Sequence, residues 1–217
     1  MLATNLFRIA TALAARSAAV LALLAIFKRG GKPAPVDWLI VGLGNPGRRY
    51  EGTRHNIGEI TALKLIERYA LGKPKSRYRG RFVDGRLGPG GPRVAVLIPE
   101  TYMNESGQSV GPARGELRVA PDHVVVIHDE IDFPFGRVES KLGGGHGGHN
   151  GLKSVKSSLG TADFTHVRVG VGRPDSTDPE IVSKWVLGGF DESKAEVEGL
   201  VEQALAETLR VVETDGR

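Results

Sequence analysis

Apolar positions fall into short runs and helical stripes that take turns along the chain. Residues 38–43 (WLIVGL) are almost wholly apolar and end at Gly44-Asn45-Pro46-Gly47, which predicts a short buried strand closed by a turn. Ile57, Ile60, Leu63, Ile66 and Tyr69 recur at helical spacing and predict a helix over about 56–70. Residues 73–87 are basic and alternate as a strand does, and Gly88-Pro89-Gly90-Gly91-Pro92 is a turn. Residues 94–98 and 123–127 read as buried strands, and 138–142 as a further short one. Between them Ser106 is placed to cap a weak helix reaching Leu117, interrupted by Gly107, Gly111, Pro112 and Gly115. Residues 143–151 form a glycine-rich loop feeding a helix over about 152–159, and 166–171 alternate as a strand. The acidic C-terminal stretch carries Val197, Leu200, Val201, Ala204, Leu205, Leu209 and Val212 at helical spacing. Strands alternating with helices predict an α/β sandwich around a mostly parallel sheet.

The first 36 residues differ from this pattern. Their longest uncharged run, 17–27, has 11 residues, roughly 16 Å as a helix and too short to span a bilayer. A secretory signal would need an A-x-A site between this run and Lys28, Arg29 and Lys32, and none lies there. An organellar transit peptide and an interfacial helix are alternatives, the latter without a clean polar face. The favoured reading is an appendage over 1–36, ending in a Gly/Pro linker, ahead of a body over 37–217. A cytoplasmic location is expected, with an organellar or membrane-associated one as the alternative.

Composition narrows the chemistry. The 217 residues are 40% hydrophobic and 25% charged, as a globular domain is. The absence of Cys excludes disulfides, a thiol nucleophile and thiolate metal sites. The net charge of +4 comes from the extension, because the body holds 24 basic and 25 acidic residues. Within the body, residues 48–93 carry twelve Lys/Arg against four Asp/Glu, and residues 174–217 four against eleven. That segregation suggests a basic face and an acidic face, the former suited to phosphate.

Four constellations compete for the function. Gly42-Leu43-Gly44-Asn45-Pro46-Gly47 fits G-x-G-x-x-G, but the helix starts too late and no acidic residue ends a second strand. Gly107-Gln108-Ser109-Val110-Gly111 fits G-x-S-x-G, but no strand runs directly into the serine; small residues in a close-packed helix explain it better. His128, Asp129, Glu130, Asp132, His146 and His149 are metal-ligand types without ligand spacing, so no metal is expected. The last is His55 at a helix start, Asp129 at the end of a buried strand, and the loop amides Asn45, Asn104 and Asn150. A carboxylate on one imidazole nitrogen leaves the other as a base for water, and amides can donate to an oxyanion.

The residues of this fourth constellation carry a resemblance. Val41 to Gly47, Tyr50 and Thr53-Arg54-His55-Asn56 resemble the opening of the bacterial-type peptidyl-tRNA hydrolases. So do Thr101-Tyr102-Met103-Asn104-Glu105-Ser106-Gly107, His128-Asp129-Glu130-Ile131-Asp132, and the run from Lys141-Leu142-Gly143 to His149-Asn150-Gly151-Leu152. Phe164, Arg168 and Gly170 to Gly172 look like that family's following strand. The resemblance implies one α/β domain, an αβα sandwich with a mixed, mostly parallel twisted sheet. It implies cleavage of the ester between peptide and tRNA, without cofactor, metal or covalent intermediate. His55 would be the base, Asp129 its orienting carboxylate, and Asn45 the sensor of the peptide linkage. Asn104 would bind substrate and fix the water or the carbonyl. Tyr50, Tyr102 and Asn150 would contact the peptide and the 3′ end, and Lys141 and Arg168 would clamp the 5′-phosphate. The expected partner is peptidyl-tRNA, and the expected state is a monomer with no obligatory protein partner. The chain departs from the family pattern in its extension and in stopping at Asp215-Gly216-Arg217, expected to weaken the last helix or expose the site.

Overall fold

The computed structural model describes residues 35–214, so the expectations for residues 1–34 and for the last three residues lie outside the described residues. The strands are β1 (Trp38–Gly42), β2 (Lys75–Arg77), β3 (Gly80–Arg86), β4 (Arg93–Pro99), β5 (Val124–Glu130), β6 (Val138–Leu142) and β7 (Thr165–Gly170). The helices are α1 (Ile57–Arg68), α2 (Gly107–Leu117), α3 (Asn150–Leu159), α4 (Pro179–Val186) and α5 (Lys194–Thr214). The strands form one sheet in the order β2-β3-β4-β1-β5-β7-β6. Its centre, β4-β1-β5-β7, is parallel; β2 and β3 on one edge and β6 on the other pair antiparallel.

Alternation along the strands sorts the core into two layers. Trp38, Ile40, Val96, Ile98, Val125, Ile127, Val167 and Val169 face a cluster completed by Ile57 and Leu65 of α1 and Leu200, Ala204 and Leu205 of α5. Leu39, Val41, Ala95, Leu97, Val124 and Val126 face the opposite cluster with Val110 and Ala113 of α2 and Leu152 and Val155 of α3. The result is a sandwich of helices on both faces of a mixed sheet.

Two close approaches fix the layers. A Cβ on Gly58 of α1 would lie 2.2 Å from the Ile127 carbonyl oxygen and 2.7 Å from the Leu43 nitrogen, so α1 starts directly against the ends of β1 and β5. On the other face, a Cβ on Gly107 would lie 2.3 Å from the Ser154 carbonyl oxygen, and one on Gly111 would lie 2.2 Å from Ser158 Oγ. The G-x-S-x-G segment is therefore a helix–helix contact, as its small residues suggest. Ser109 itself is buried, and its hydroxyl donates to the Arg79 carbonyl at 3.0 Å.

Local departures from the sequence reading have physical causes. The strand over 73–87 is a hairpin, β2 and β3, turning at Tyr78 and Arg79 with φ of 54° and 53°. Ser106 is already helical at φ −53°, and its hydroxyl donates back to the Met103 carbonyl at 2.8 Å, so a 3₁₀ turn over Met103–Glu105 leads α2 in place of a side-chain cap. Two more 3₁₀ turns, Arg48–Tyr50 and Arg54–Asn56, separate the glycine turn from α1, which a dinucleotide fold would not tolerate. α4 was not expected from the pattern. Among the described residues no helix is long and apolar enough to cross a membrane.

The candidate active site

The loops after β1, β4 and β6 and the ends of β5 and β7 line one open cavity of about 870 Å³. Such crevices outside the carboxyl ends of parallel strands are where α/β sheets bind ligands. Asn45, His55, Tyr102, Asn104, Asp129, Lys141, Asn150 and Arg168 all line it. Tyr50 does not; its ring lies under the Arg49 guanidinium, 4.5 Å from the centroid.

Asp129 is the buried centre. Its Oδ1 accepts from His55 Nδ1 at 2.8 Å and from His149 Nε2 at 3.0 Å. Burial opposes its charge, but the two imidazoles and their hydrogen bonds win, and the carboxyl stays ionised far below the usual carboxylate range. For His55, burial disfavours the cation, while the charge of Asp129 and the hydrogen bond to it favour the cation more; the net shift is upward from 6.5. With Nδ1 given to Asp129, Nε2 of His55 is the nitrogen left to take a proton.

In the sequence His149 stands out only as a metal-ligand type and as part of the glycine-rich motif run. The structure makes it the second donor to Asp129. It caps α3, its Nδ1 accepting from the Gly151 and Leu152 amides at 3.1 and 3.3 Å. That network assigns its proton to Nε2, facing Asp129. The potential ligand atoms of His55, Asp129 and His149 lie within 4.8 Å of one another. While His149 caps α3 in this way, its Nε2 has no lone pair for a metal.

Asn45 is held by three hydrogen bonds. Its Oδ1 accepts from the Met103 amide at 2.8 Å, and its backbone exchanges two hydrogen bonds with the Asn56 side chain, both 2.9 Å. Asn56 Nδ2 also donates to Glu59 at 2.7 Å, and Glu59 pairs with Arg81. With its oxygen engaged, the Asn45 amide nitrogen is a fixed donor. Asn56 is a supporting residue that sequence reasoning gave no role; only its place beside His55 pointed to it. Asn104, in the 3₁₀ turn before α2, and Asn150, the first residue of α3, are exposed and make no side-chain hydrogen bond among the described residues. Tyr102, 52% exposed, and Leu187 form an apolar rim.

The two cations differ. Lys141 is exposed and pairs with no described carboxylate. Arg168 donates to Glu130 at 3.0 Å and lies 4.1 Å over the Phe133 ring. His128 and His166, on β5 and β7, meet edge to face behind the site, with ring centroids 5.1 Å between His128 and His149 and 5.5 Å between His128 and His166. Burial chiefly, then neighbouring His149 and His166, keeps His128 neutral; burial, then Arg168, His149 and Lys141, lower His166 to about 4.

A carboxylate-bound imidazole, a fixed amide donor and a rim of apolar side chains can activate water against a carbonyl compound without a covalent step. Similarity to known proteins identifies the family. A sequence model described as peptidyl-tRNA hydrolase matches residues 39–216. The peptidyl-tRNA hydrolase of Pseudarthrobacter chlorophenolicus is 53% identical over 137 residues, covering 63% of this chain and 70% of its own. That of Syntrophotalea carbinolica is 46% identical over 168 residues, covering 77% and 86%. The crystal structure of peptidyl-tRNA hydrolase from Acinetobacter baumannii superposes with a TM-score of 0.72 at 36% identity, over 82% of this chain and 90% of that one. The sheet, the cavity at its carboxyl edge and the match over nearly the whole body place this chain in the peptidyl-tRNA hydrolase family.

Proposed function

We propose that the protein hydrolyses the ester joining a peptide to the 3′-terminal ribose of tRNA, returning free tRNA and a peptide acid. The observation that carries this is His55 Nδ1 bound at 2.8 Å to a buried, ionised Asp129, in a cavity that His55 and Asn45 both line. His55 takes a proton from water as the water attacks the carbonyl carbon, then returns it to the departing ribose oxygen. Asp129 supports the imidazolium between those two transfers, and His149 steadies Asp129. Asn104 and Asn150 supply donors for the developing oxyanion and the 3′ end. Asn45 donates to the amide carbonyl that an N-blocked substrate has and a free aminoacyl ester lacks. Tyr102 packs against the peptide; Tyr50 reaches it only if its ring leaves Arg49. Lys141 and Arg168 receive the 5′-phosphate. In this reading residues 37–217 are the catalytic domain, residues 1–36 an appendage, and the enzyme works as a cytoplasmic monomer without cofactor, metal or obligatory protein partner.

The test is incubation with N-acetyl-aminoacyl-tRNA and with free aminoacyl-tRNA, each with and without EDTA. Hydrolysis of the blocked substrate, little of the free one, and indifference to chelator are expected. Equal rates on both would remove the role of Asn45. Loss in EDTA that zinc restores would overturn the metal-free mechanism.

A further inference from the structure

Arg54, next to the base in sequence, is 3% exposed and bonds away from the reaction centre, toward the segment after α4. Its guanidinium lies 3.8 Å over the Trp185 ring and 5.5 Å from that of Phe190. Its Nη2 donates to Asp191 at 2.7 Å, and its Nη1 donates to the Gly189 carbonyl. The backbone reinforces this: the Arg54 amide donates to the Gly188 carbonyl at 3.0 Å, and Thr53 bridges to Gly189. Trp185 is itself anchored, donating from Nε1 to the Gly172 carbonyl at 2.9 Å. α4 is a wall of the cavity, lining it with Pro179, Val182, Ser183, Val186 and, just beyond, Leu187. The 3₁₀ turn Arg54–Asn56 thus has three ties: Arg54 to the end of α4, His55 to β5, and Asn56 to Asn45.

We propose that Arg54 is a positioning residue that couples the α4 wall to the placement of His55, so that occupancy of the cavity by the peptide and alignment of the base are one event. The proposal rests on the hydrolase reading of the site. A planar guanidinium can stack on Trp185 and fork to Asp191 and a carbonyl together; an ammonium cannot. Loosening this tie lets the 3₁₀ turn shift, and small misplacements of a catalytic group are costly in rate.

The experiment compares wild type, Arg54→Lys and Asp191→Asn, all in a Trp38→Phe background, so that Trp185 is the one remaining indole of the chain's two. The probe is an N-acetyl-aminoacyl-adenosine with an amide in place of the ester, and the assay substrate is N-acetyl-aminoacyl-tRNA. Expected for Arg54→Lys is a fall in kcat of about tenfold with KM within about twofold. The acid limb of its pH profile should move to lower pH, because a base held less closely to Asp129 is less basic. The probe should shift Trp185 emission in wild type and not in Arg54→Lys, though both bind it. Asp191→Asn, which loses one exposed partner, should show the same changes at reduced size, and decides the matter if Arg54→Lys does not fold. A purely structural Arg54 would lower the melting temperature and leave kcat, pH profile and emission response at wild-type values in folded protein; that result overturns the proposal. A wild type that hydrolyses neither tRNA ester overturns the functional reading instead.

Discussion

At the scale of single residues, the site depends on which nitrogen carries which proton. On the proposed mechanism His55→Ala removes the base, a loss typically worth about 10² to 10⁴ in rate. Asp129→Asn keeps the shape and loses the charge, so it should cost less than His55→Ala; steady-state kinetics on N-acetyl-aminoacyl-tRNA order the two. The base acts only when neutral, and its pKa lies above 6.5 because Asp129 outweighs burial. Wild-type activity should therefore fall as pH drops through that raised value. In Asp129→Asn the acid limb should move to lower pH, and an unmoved limb would mean that another group sets it. Ser109→Ala should leave the rate unchanged, since the hydroxyl is buried against a backbone carbonyl; a dead Ser109→Ala would restore the serine-hydrolase reading. That His55, Asp129, Asn45, Asn104 and Asn150 share one cavity was legible in the sequence as motif residues. The role of His149 was not, because it depends on a tautomer that α3 imposes once its amides are aimed at Nδ1.

At the scale of elements, the apolar strands and long amphipathic helices were legible because burial imposes a period on them. The hairpin between β2 and β3 was hidden because Tyr-Arg occupies a turn with two positive φ values, where Asn-Gly would have announced it. α4 was hidden because it is short and only Val186 in it is buried. Close approach makes a prediction here. Gly58→Ala drives a Cβ into the backbone of β5 and of the chain after β1, which cannot step aside as a side chain could. A loss of about 1–3 kcal/mol is expected, the usual range for overpacking, measured by urea melts. The buried histidines make another. His166 is buried beside Phe164, its ring 4.5 Å away, and its Nε2 has no partner. Its pKa of about 4 lies below the 6.5 it regains on unfolding, so the unfolded chain binds the extra proton. Stability contributed by neutral His166 is thus intact above about pH 6.5 and falls as pH drops toward 4, by about 3 kcal/mol in all. His166→Phe should flatten that part of the acid loss in melts between pH 7 and 4. A mutant with the wild-type slope would assign the acid sensitivity elsewhere.

At the scale of the whole molecule, part of the charge that is segregated along the sequence is paired in the fold. Arg54 pairs with Asp191, Arg68 with Glu202, Arg77 with Glu116, Arg81 with Glu59 and Arg93 with Asp84. Five arginines of residues 48–93 are thus answered by carboxylates of the same segment, of α2 or of the acidic C-terminal segment, a cancellation that depends on tertiary contacts and so was invisible along the chain. Beside the cavity, Lys141 has no described carboxylate partner, while Arg168 must leave or share Glu130 to meet an anion. A tRNA held at its acceptor end by these two cations should show a shallow salt dependence. Each phosphate contact released contributes a slope of roughly −0.9 in log K against log salt on duplex, so two give about −2. Lys141→Ala with Arg168→Ala should remove most of that slope and raise KM for 5′-phosphorylated tRNA, with little effect on a 5′-dephosphorylated one. Glu130→Gln should do the opposite: with its carboxylate gone, Arg168 has no ion pair to give up, and KM for the phosphorylated tRNA should fall. Binding titrations from 50 to 300 mM salt with both tRNAs measure all three. A double mutant that retains the wild-type slope would move the phosphate contact away from this edge of the sheet.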